Sequence, residues 1–462
     1  MSTSSNQRHA TPFGRMLGAV AAIERHEMPA VIASFCLFFC VMGGYFAVRP
    51  VRDTVGTLIG RDRVADLWIA TWIASLAIIP IYGMVVSRFR RGVFLPWTYG
   101  VVALSLALVG VALSGEGSIA AGQFFYVFIS VLNLFLISVF WSFLLELFRS
   151  EQTKRLFGVI AAGGTAGALA GPLFTDITVR TIGNSGVLFT GAALFAIGIV
   201  CQRVLLTLWS SGEGPAEPTT SSPTTGAERG RDRAIGGNPL AGVGIVLRSP
   251  YLLGIASFVV LLASVSTFLY FEQLRLVTLE FPAVEDRTRV FARMDWVVQS
   301  LTIVSQIFLT GRIASRRGVA MLLTMVPVAM IFGFLILAAW NTFAMLAVIF
   351  IARRFGEYAF VRPGREMLWS PLDKETKYKA KNFVDVPVYR GADALVAQLQ
   401  GAVGNAGFGP QAIALLGAGT AVLWAINGFW LGRRHDDAAA TPQRREEVIA
   451  PAGSPRPVGA RP

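Results

Sequence analysis

Gly83-Met-Val-Val-Ser-Arg88 returns in this chain as Gly311-Arg-Ile-Ala-Ser-Arg316. Each copy closes an apolar run, and each is followed by further arginine. A second echo lies upstream, where Tyr45-Phe46 returns as Tyr270-Phe271 at nearly the same offset, about 225 to 228 residues. Self-similarity at a fixed period marks a repeated architecture. Apolar runs flank both copies, near 29–56, 64–87, 93–113, 119–147, 156–179 and 186–208, then near 250–280, 289–310, 319–339, 342–369, 381–405 and 410–431. Each is long enough, as a helix, to cross roughly 30 Å of hydrocarbon. Twelve spans fall into two sets of six. Because six is even, both halves enter from the same side, which gives parallel repeats about an axis along the membrane normal.

Composition agrees. Apolar residues make up 54% of the chain and charged residues 15%, too apolar for an ordinary soluble domain of this length. A net charge of +13 would suggest nucleic acid in a soluble protein, but here the cations cluster between apolar runs and act as topology signals. Arg88, Arg90 and Arg91, then Arg149, Lys154 and Arg155, then Arg312, Arg316 and Arg317, and Lys374 through Lys381 occupy alternate connections. The opposite connections carry only Arg61, Arg63, Arg180, Arg287, Arg289 and Arg293. The positive-inside rule then puts both termini in the cytoplasm, with the chain in the cytoplasmic (inner) membrane.

The predicted organisation is a polar N-terminus at 1–28 and a six-helix bundle at 29–208, then a cytoplasmic linker at 209–249, a second bundle at 250–431 and a disordered tail at 432–462. Phe13, Met16, Leu17 and Val20 recur at helical spacing, which predicts a short helix on the membrane surface. The linker is rich in Gly, Pro, Ser and Thr, a composition that builds no core. The architecture resembles the major facilitator superfamily, and the Gly-to-Arg segments resemble a degraded form of its loop between the second and third helices.

A charge inside a spanning helix is costly, so such residues are the first candidates for function. Arg49, Arg52 and Asp53 share one face of the first helix with Tyr45, and Pro50 among them should bend it. Glu146 follows Phe140-Trp141 in the fourth, and Glu272 and Arg275 are three apart in the seventh. Arg353, Arg354 and Glu357 lie in the tenth. Lys381, Asp385, Tyr389 and Asp393 recur every fourth residue in the eleventh, with Arg390 alongside and Pro387 to bend it. The planar arginine fork suits phosphate or carboxylate and stays charged when desolvated. Arg49, Arg52, Arg275, Tyr389 and Arg390 are therefore the candidate substrate contacts. Asp53, Glu146, Glu272, Asp385 and Asp393 are the candidate coupling groups or charge partners, and Arg353, Arg354, Glu357, Lys154 and Lys381 the candidate gate. Counted inside the spans, six arginines meet six acids, a balance that internal ion pairs alone would also produce.

Other features read as structural. Gly163, Gly167 and Gly171 lack the Lys-Ser or Lys-Thr of a phosphate loop, and their four-residue spacing is that of helix packing. Cys36 and Cys40 are packing residues without a ligand pair nearby, and His9, His26 and His435 lie in polar terminal segments. No catalytic, metal or cofactor site is expected, no nucleic acid and no obligatory protein partner; a small anionic solute and the bilayer are the expected partners.

Three stretches resemble the ATP/ADP translocase family of nucleotide exchangers and its bacterial relatives. Arg49-Pro-Val-Arg52-Asp53 is similar to that family's first-helix pattern, with arginine in place of its lysine. Phe140-Trp-Ser-Phe-Leu-Leu-Glu146, trailed by Lys154-Arg155, is similar to its fourth-helix segment, and Lys377-Tyr-Lys379-Ala-Lys381 with Asp385-Val386 to its lysine-rich entry to the eleventh. Where the exchangers have Gly-Lys-Ser-Gly, this chain reads Arg390-Gly-Ala-Asp393, an acid where a cation would face phosphate. The resemblance implies a facilitator-type fold and a phosphorylated or nucleotide-like substrate.

The expected function is secondary active transport of a small organic anion by alternating access. The alternatives are a proton-coupled exporter of metabolites or drugs, whose cavity would be apolar with one or two acids, and a membrane-embedded enzyme or lipid-handling protein. No nucleophile elbow or metal-spacing cluster in the sequence supports the latter.

Overall fold

The computed structural model describes residues 23–24, 26–88, 91–115, 118–148, 150–210 and 241–440. The surface helix expected at Phe13 to Ile23 falls almost wholly outside them. All regular structure among the described residues is helical. In chain order the helices are α1 (Met28–Ile59), α2 (Arg61–Arg88), α3 (Arg91–Ser114), α4 (Ile119–Leu147), α5 (Ser150–Ser210), α6 (Ala241–Arg248), α7 (Pro250–Glu280) and α8 (Val284–Ser305). Then follow α9 (Gly311–Ala339), α10 (Phe343–Gly356), α11 (Arg362–Leu368), α12 (Lys374–Phe383), α13 (Tyr389–Asn405) and α14 (Pro410–Ala440). Widened π-helical turns, Gln306–Thr310, Glu357–Val361 and Val384–Val388, join α8 to α9, α10 to α11 and α12 to α13. Pro387 falls inside the last of them, where a residue without an N–H donor breaks the ladder.

Two helices are broken at glycine. Gly183 inside α5 has φ 69° and Gly318 inside α9 has φ 73°, a left-handed backbone that glycine adopts without steric cost. Among the described residues seven helices are long and apolar enough to cross a membrane, or eight if the bent pair Ile119–Asn133 and Phe135–Leu147 is one span. The segments 343–368 and 374–405 fall outside that set, and both are rich in charge: Arg353, Arg354, Glu357, Arg362, Arg365 and Glu366 in the first, and Lys381, Asp385, Arg390 and Asp393 among those in the second. The lipid-facing side is plain on α3, where Val101, Leu104, Leu108 and Val111 form an exposed ridge while Val102, Leu106 and Val109 are buried opposite.

The chain divides into two compact units, Met1–Thr219 with Leu274–Leu301, and Thr220–Gln273 with Thr302–Pro462. Two of the crossings between them fall inside helices, at Gln273–Leu274 in α7 and at Leu301–Thr302 in α8. In the first unit α1 is buried along most of its length because α5 lies directly against it. A Cβ on Gly163 would strike the Phe35 carbonyl, one on Gly167 would meet the Phe39 carbonyl and the Gly43 nitrogen, and one on Gly171 would come within 2.5 Å of the Gly43 carbonyl. Thr175 continues the seam by donating to the Ala47 carbonyl at 2.9 Å. The glycine spacing is thus a backbone-to-backbone contact, as in other small-residue helix pairs.

In the second unit α9 and α14 meet through the same chemistry. Gly417 accommodates Phe334, Gly428 the Leu323 carbonyl and Gly432 the backbone of Ala320. Two boundaries differ from those read in the sequence. The end of the linker, Ala241–Arg248, is helical, and Gly242 lies against the Lys379 carbonyl and Phe383 of α12. The start of the expected tail is helical too, since α14 continues to Ala440. Asp436 there accepts hydrogen bonds from Val319 N and Ala320 N, at 3.1 and 3.2 Å, and so caps the helix that restarts after Gly318. In both cases a neighbouring helix orders a segment that adjoins polar sequence.

Candidate functional site

In the first unit the expected face of α1 is present. Arg52 donates from Nε and Nη2 to Oδ1 of Asp53, reaches Ser130 Oγ on α4 at 3.5 Å, and lies 5.5 Å from the centre of the Tyr126 ring. Arg49, one turn earlier, lies over Phe46 and pairs with Asp295 of α8 at 3.9 Å. The helix is continuous through Pro50, and Thr54 Oγ1 bonds the Pro50 carbonyl.

Asp295 belongs to a set of α8 side chains that engage α1 and α5. Asp176 of α5, 7% exposed, accepts from Arg289 Nε at 3.1 Å, Arg293 Nη2 at 3.2 Å and Trp296 Nε1 at 3.0 Å. Arg180 pairs with Asp286. Thr288 shares a 2.7 Å hydrogen bond with Thr54 and donates to Asn184 Oδ1, and Arg287 donates to Thr57 Oγ1 at 3.1 Å. Asp176 and Asp295 are not among the residues the sequence singles out, and the sequence assigns the α8 arginines to a connection. One signal was available: Arg289 and Arg293 are i, i+4, hence on one helix face, and Asp295-Trp296 follow at once.

In the second unit the charges form pairs that the sequence only partly anticipates. Arg353 Nη1 donates to Glu357 Oε2 at 2.9 Å and to Ser266 Oγ of α7, with both ions nearly buried. Arg354 lies over Phe350 and Tyr358, and Arg362 over Tyr358. Asp385 pairs with Arg365 at 3.4 Å, and Lys381 with Glu366; neither Arg365 nor Glu366 is among the candidates that the sequence offers. Arg390 lies 3.8 Å from Asp393, which also receives the Thr267 hydroxyl at 3.5 Å. Tyr389 is half-buried beside them. Glu272 accepts from Asn341 Nδ2 at 2.7 Å, while Arg275 lies three residues on, past the point where α7 passes between units. Glu146 is exposed in the last turn of α4, and the Lys154 side chain lies outside the described residues.

The two neighbouring π turns are joined. Thr310 Oγ1 donates to the Ala359 carbonyl at 2.9 Å and Gln306 Nε2 to the Tyr358 carbonyl at 3.3 Å, so side chains of one turn occupy carbonyls on the other.

Helices of this length and apolarity, with ion pairs held inside apolar segments, make this a multi-pass membrane protein. The fold is that of solved transporters. The nucleoside transporter NupG superposes with a TM-score of 0.60 at 16% identity, covering 88% of this chain and 99% of that one. A bacterial homologue of the iron transporter ferroportin gives 0.59 at 11% identity, covering 88% and 98%. In sequence, the chain is similar to ADP,ATP carrier protein 1 of Chlamydia trachomatis serovar D, 23% identical over 82% of this chain and 83% of that protein. It is 22% identical to the Chlamydia muridarum protein of the same name, over 82% of each. The resemblance carried by the three short stretches therefore extends along most of the chain. No family model matches it.

Proposed function

We propose that this chain is a secondary transporter that moves a small phosphorylated or nucleotide-like organic anion across the inner membrane by alternating access. The observation that carries the reading is the set of arginines held within the helices, Arg49 and Arg52 in one unit and Arg390 in the other, each beside an acid that it can leave for a substrate anion. Breaking such a pair is costly unless another anion takes the acid's place, and a phosphate offers the matching bidentate geometry. The similarity to proteins named as ADP,ATP carriers supports phosphate chemistry. Arg275 and Tyr389 complete the proposed substrate contacts. Asp53, Glu146, Glu272, Asp385 and Asp393 are the proposed partners or coupling groups, and Arg353, Arg354, Glu357, Lys154 and Lys381 the proposed gate.

The reading includes twelve spans in two parallel six-helix repeats, with bundles at 29–208 and 250–431 and both termini cytoplasmic. Supporting it, Gly183 and Gly318 divide α5 and α9 where the sequence places connections, and the π turns carry the charged segments on as continuous helix. Uptake of labelled ADP, ATP, sugar phosphates and dicarboxylates into proteoliposomes tests the function. Saturable uptake of a phosphorylated solute, lost in folded R52A and R390A, is expected. Folded protein that takes up none of them ends the reading, and unchanged uptake in both variants removes the assigned contacts.

A further inference from the structure

Two buried carboxylates of the second unit are held in very different ways. Glu357 takes a 2.9 Å hydrogen bond from Arg353, and Arg354, Arg362 and Arg365 also act on it. Asp393 on α13 is as deeply buried, at 8% exposure, yet its contacts are long: Thr267 Oγ1 at 3.5 Å and Arg390 Nη1 at 3.8 Å. Charge-assisted hydrogen bonds run at about 2.7–2.9 Å. The charged groups facing Asp393 are Arg390 from its own helix and Arg353 and Glu357 from the α10 segment, and the phenol of Tyr389 one turn before faces those three and Asp393 itself. Arg353 is already committed to Glu357 and Ser266. Arg390 is thus the cation within reach of Asp393, and Glu357 is a like charge nearby.

A buried carboxylate stays ionised only while a cation or close donors compensate it. If Arg390 turns to an incoming anion, Asp393 loses that compensation. We propose that Asp393 is a proton-binding site and that the proton it takes up enters together with an anion seated on Arg390. The second half of this rests on the transport reading above. In the loading step the carboxylate gains one proton from water on the side from which the anion arrives and becomes a neutral acid. In the release step the O–H bond breaks, the proton passes to water on the opposite side, and Arg390 returns to the carboxylate. No electron moves and no other bond changes. The cargo accordingly travels with one proton, and obligatory counter-exchange is not required.

Infrared difference spectra of the purified wild-type chain, taken while the pH is stepped through neutrality, decide the first half without any substrate. A carboxylic-acid carbonyl band that titrates, vanishes in D393N and persists in D385N is expected. D393E keeps the acid and should show the band at a displaced frequency, which covers the case in which D393N does not fold. A wild type with no titrating band, or a band lost in D385N instead, overturns the assignment. Calorimetric titration with ADP, ATP and inorganic phosphate, in buffers of different ionisation enthalpy, decides the coupling. Binding heat that tracks buffer ionisation in wild type and not in D393N supports it, and heat independent of buffer overturns it while leaving transport intact. If none of the three anions gives heat, the coupling to a phosphorylated anion fails together with the transport reading, and the infrared result stands by itself.

Discussion

Asp176 of α5 and Arg293 of α8 are joined by two contacts, from Nη2 to Oδ1 at 3.2 Å and from Nε to Oδ2 at 3.3 Å, although 117 residues separate them in sequence. Arg289 and Trp296 fill the remaining reach of the same carboxylate. One acid on a glycine-seamed helix thereby fastens the first three turns of α8.

Replacing Asp176 with Asn should release that fastening. The arginines are partly exposed, so hydration recovers some of the loss, and a destabilisation of roughly 2 kcal/mol is expected, the scale of a charged hydrogen bond. Hydrogen–deuterium exchange should rise across 284–296 and stay unchanged in α14. Uniform protection in the variant would show that Asp176 is not the fastening group.

Gly167→Ala drives a methyl group into the Phe39 carbonyl and should cost about 1–3 kcal/mol through forced separation of α1 and α5. Gly158→Ala, on the same helix but in open space, should leave stability equal or raise it by about 0.5–1 kcal/mol. Thermal unfolding in detergent separates the two; equal melting temperatures would mean the seam gives way easily.

Asp373 caps α12 by accepting from Thr376 N at 2.9 Å. The backbone N–H of Thr376, with its side chain next, holds the Asp373 carboxyl below its ordinary value. A lowered folded-state value means the contribution is complete above the unfolded carboxylate range and is lost as pH falls through the lowered value. Exchange at Lys374–Phe383 should therefore increase on acidification in wild type. D373N keeps a capping oxygen without the titration and should show a flatter acid limb, while D373A should cost about 1 kcal/mol at neutral pH. An identical acid limb in D373N would assign the effect to another group.

Asp436 caps the helix that restarts at Val319. D436A should lower stability by about 1 kcal/mol and raise exchange at 319–322. G318A should cost more than the loss of that cap, because it both strains the φ of 73° and places a methyl 2.5 Å from Asp436 Oδ2. A melting temperature for D436A equal to wild type would reduce the end of α14 to an overhang.

Many of the charges inside apolar helices were legible without a structure, because a charge within a run of Leu, Val and Phe stands out locally. Their partners were only partly legible. Arg52 with Asp53 and Arg353 with Glu357 are near in sequence and were grouped from spacing. Arg49 with Asp295, and Arg365 with Asp385, join different helices, and no periodicity reports which faces meet. Asp176 was missed for the same reason: a lone acid in a glycine-rich span declares itself only when the Arg289–Arg293 face is brought against it.

The sequence by itself determined the hydrophobic runs, the gaps between them at 180–185 and 311–318, and the small-residue face of α5. These follow from hydropathy, backbone freedom and helical period, all of which act over a few residues. Only the tertiary structure decided that Ala241–Arg248 docks on α12, that the start of the polar tail extends α14 to cap α9, and that the same loose compensation leaves Asp393 apart from Glu357. The first two depend on distances between helices and the third on how side chains are held along one, where a difference of about one ångström between a 2.9 Å and a 3.8 Å contact is invisible in composition.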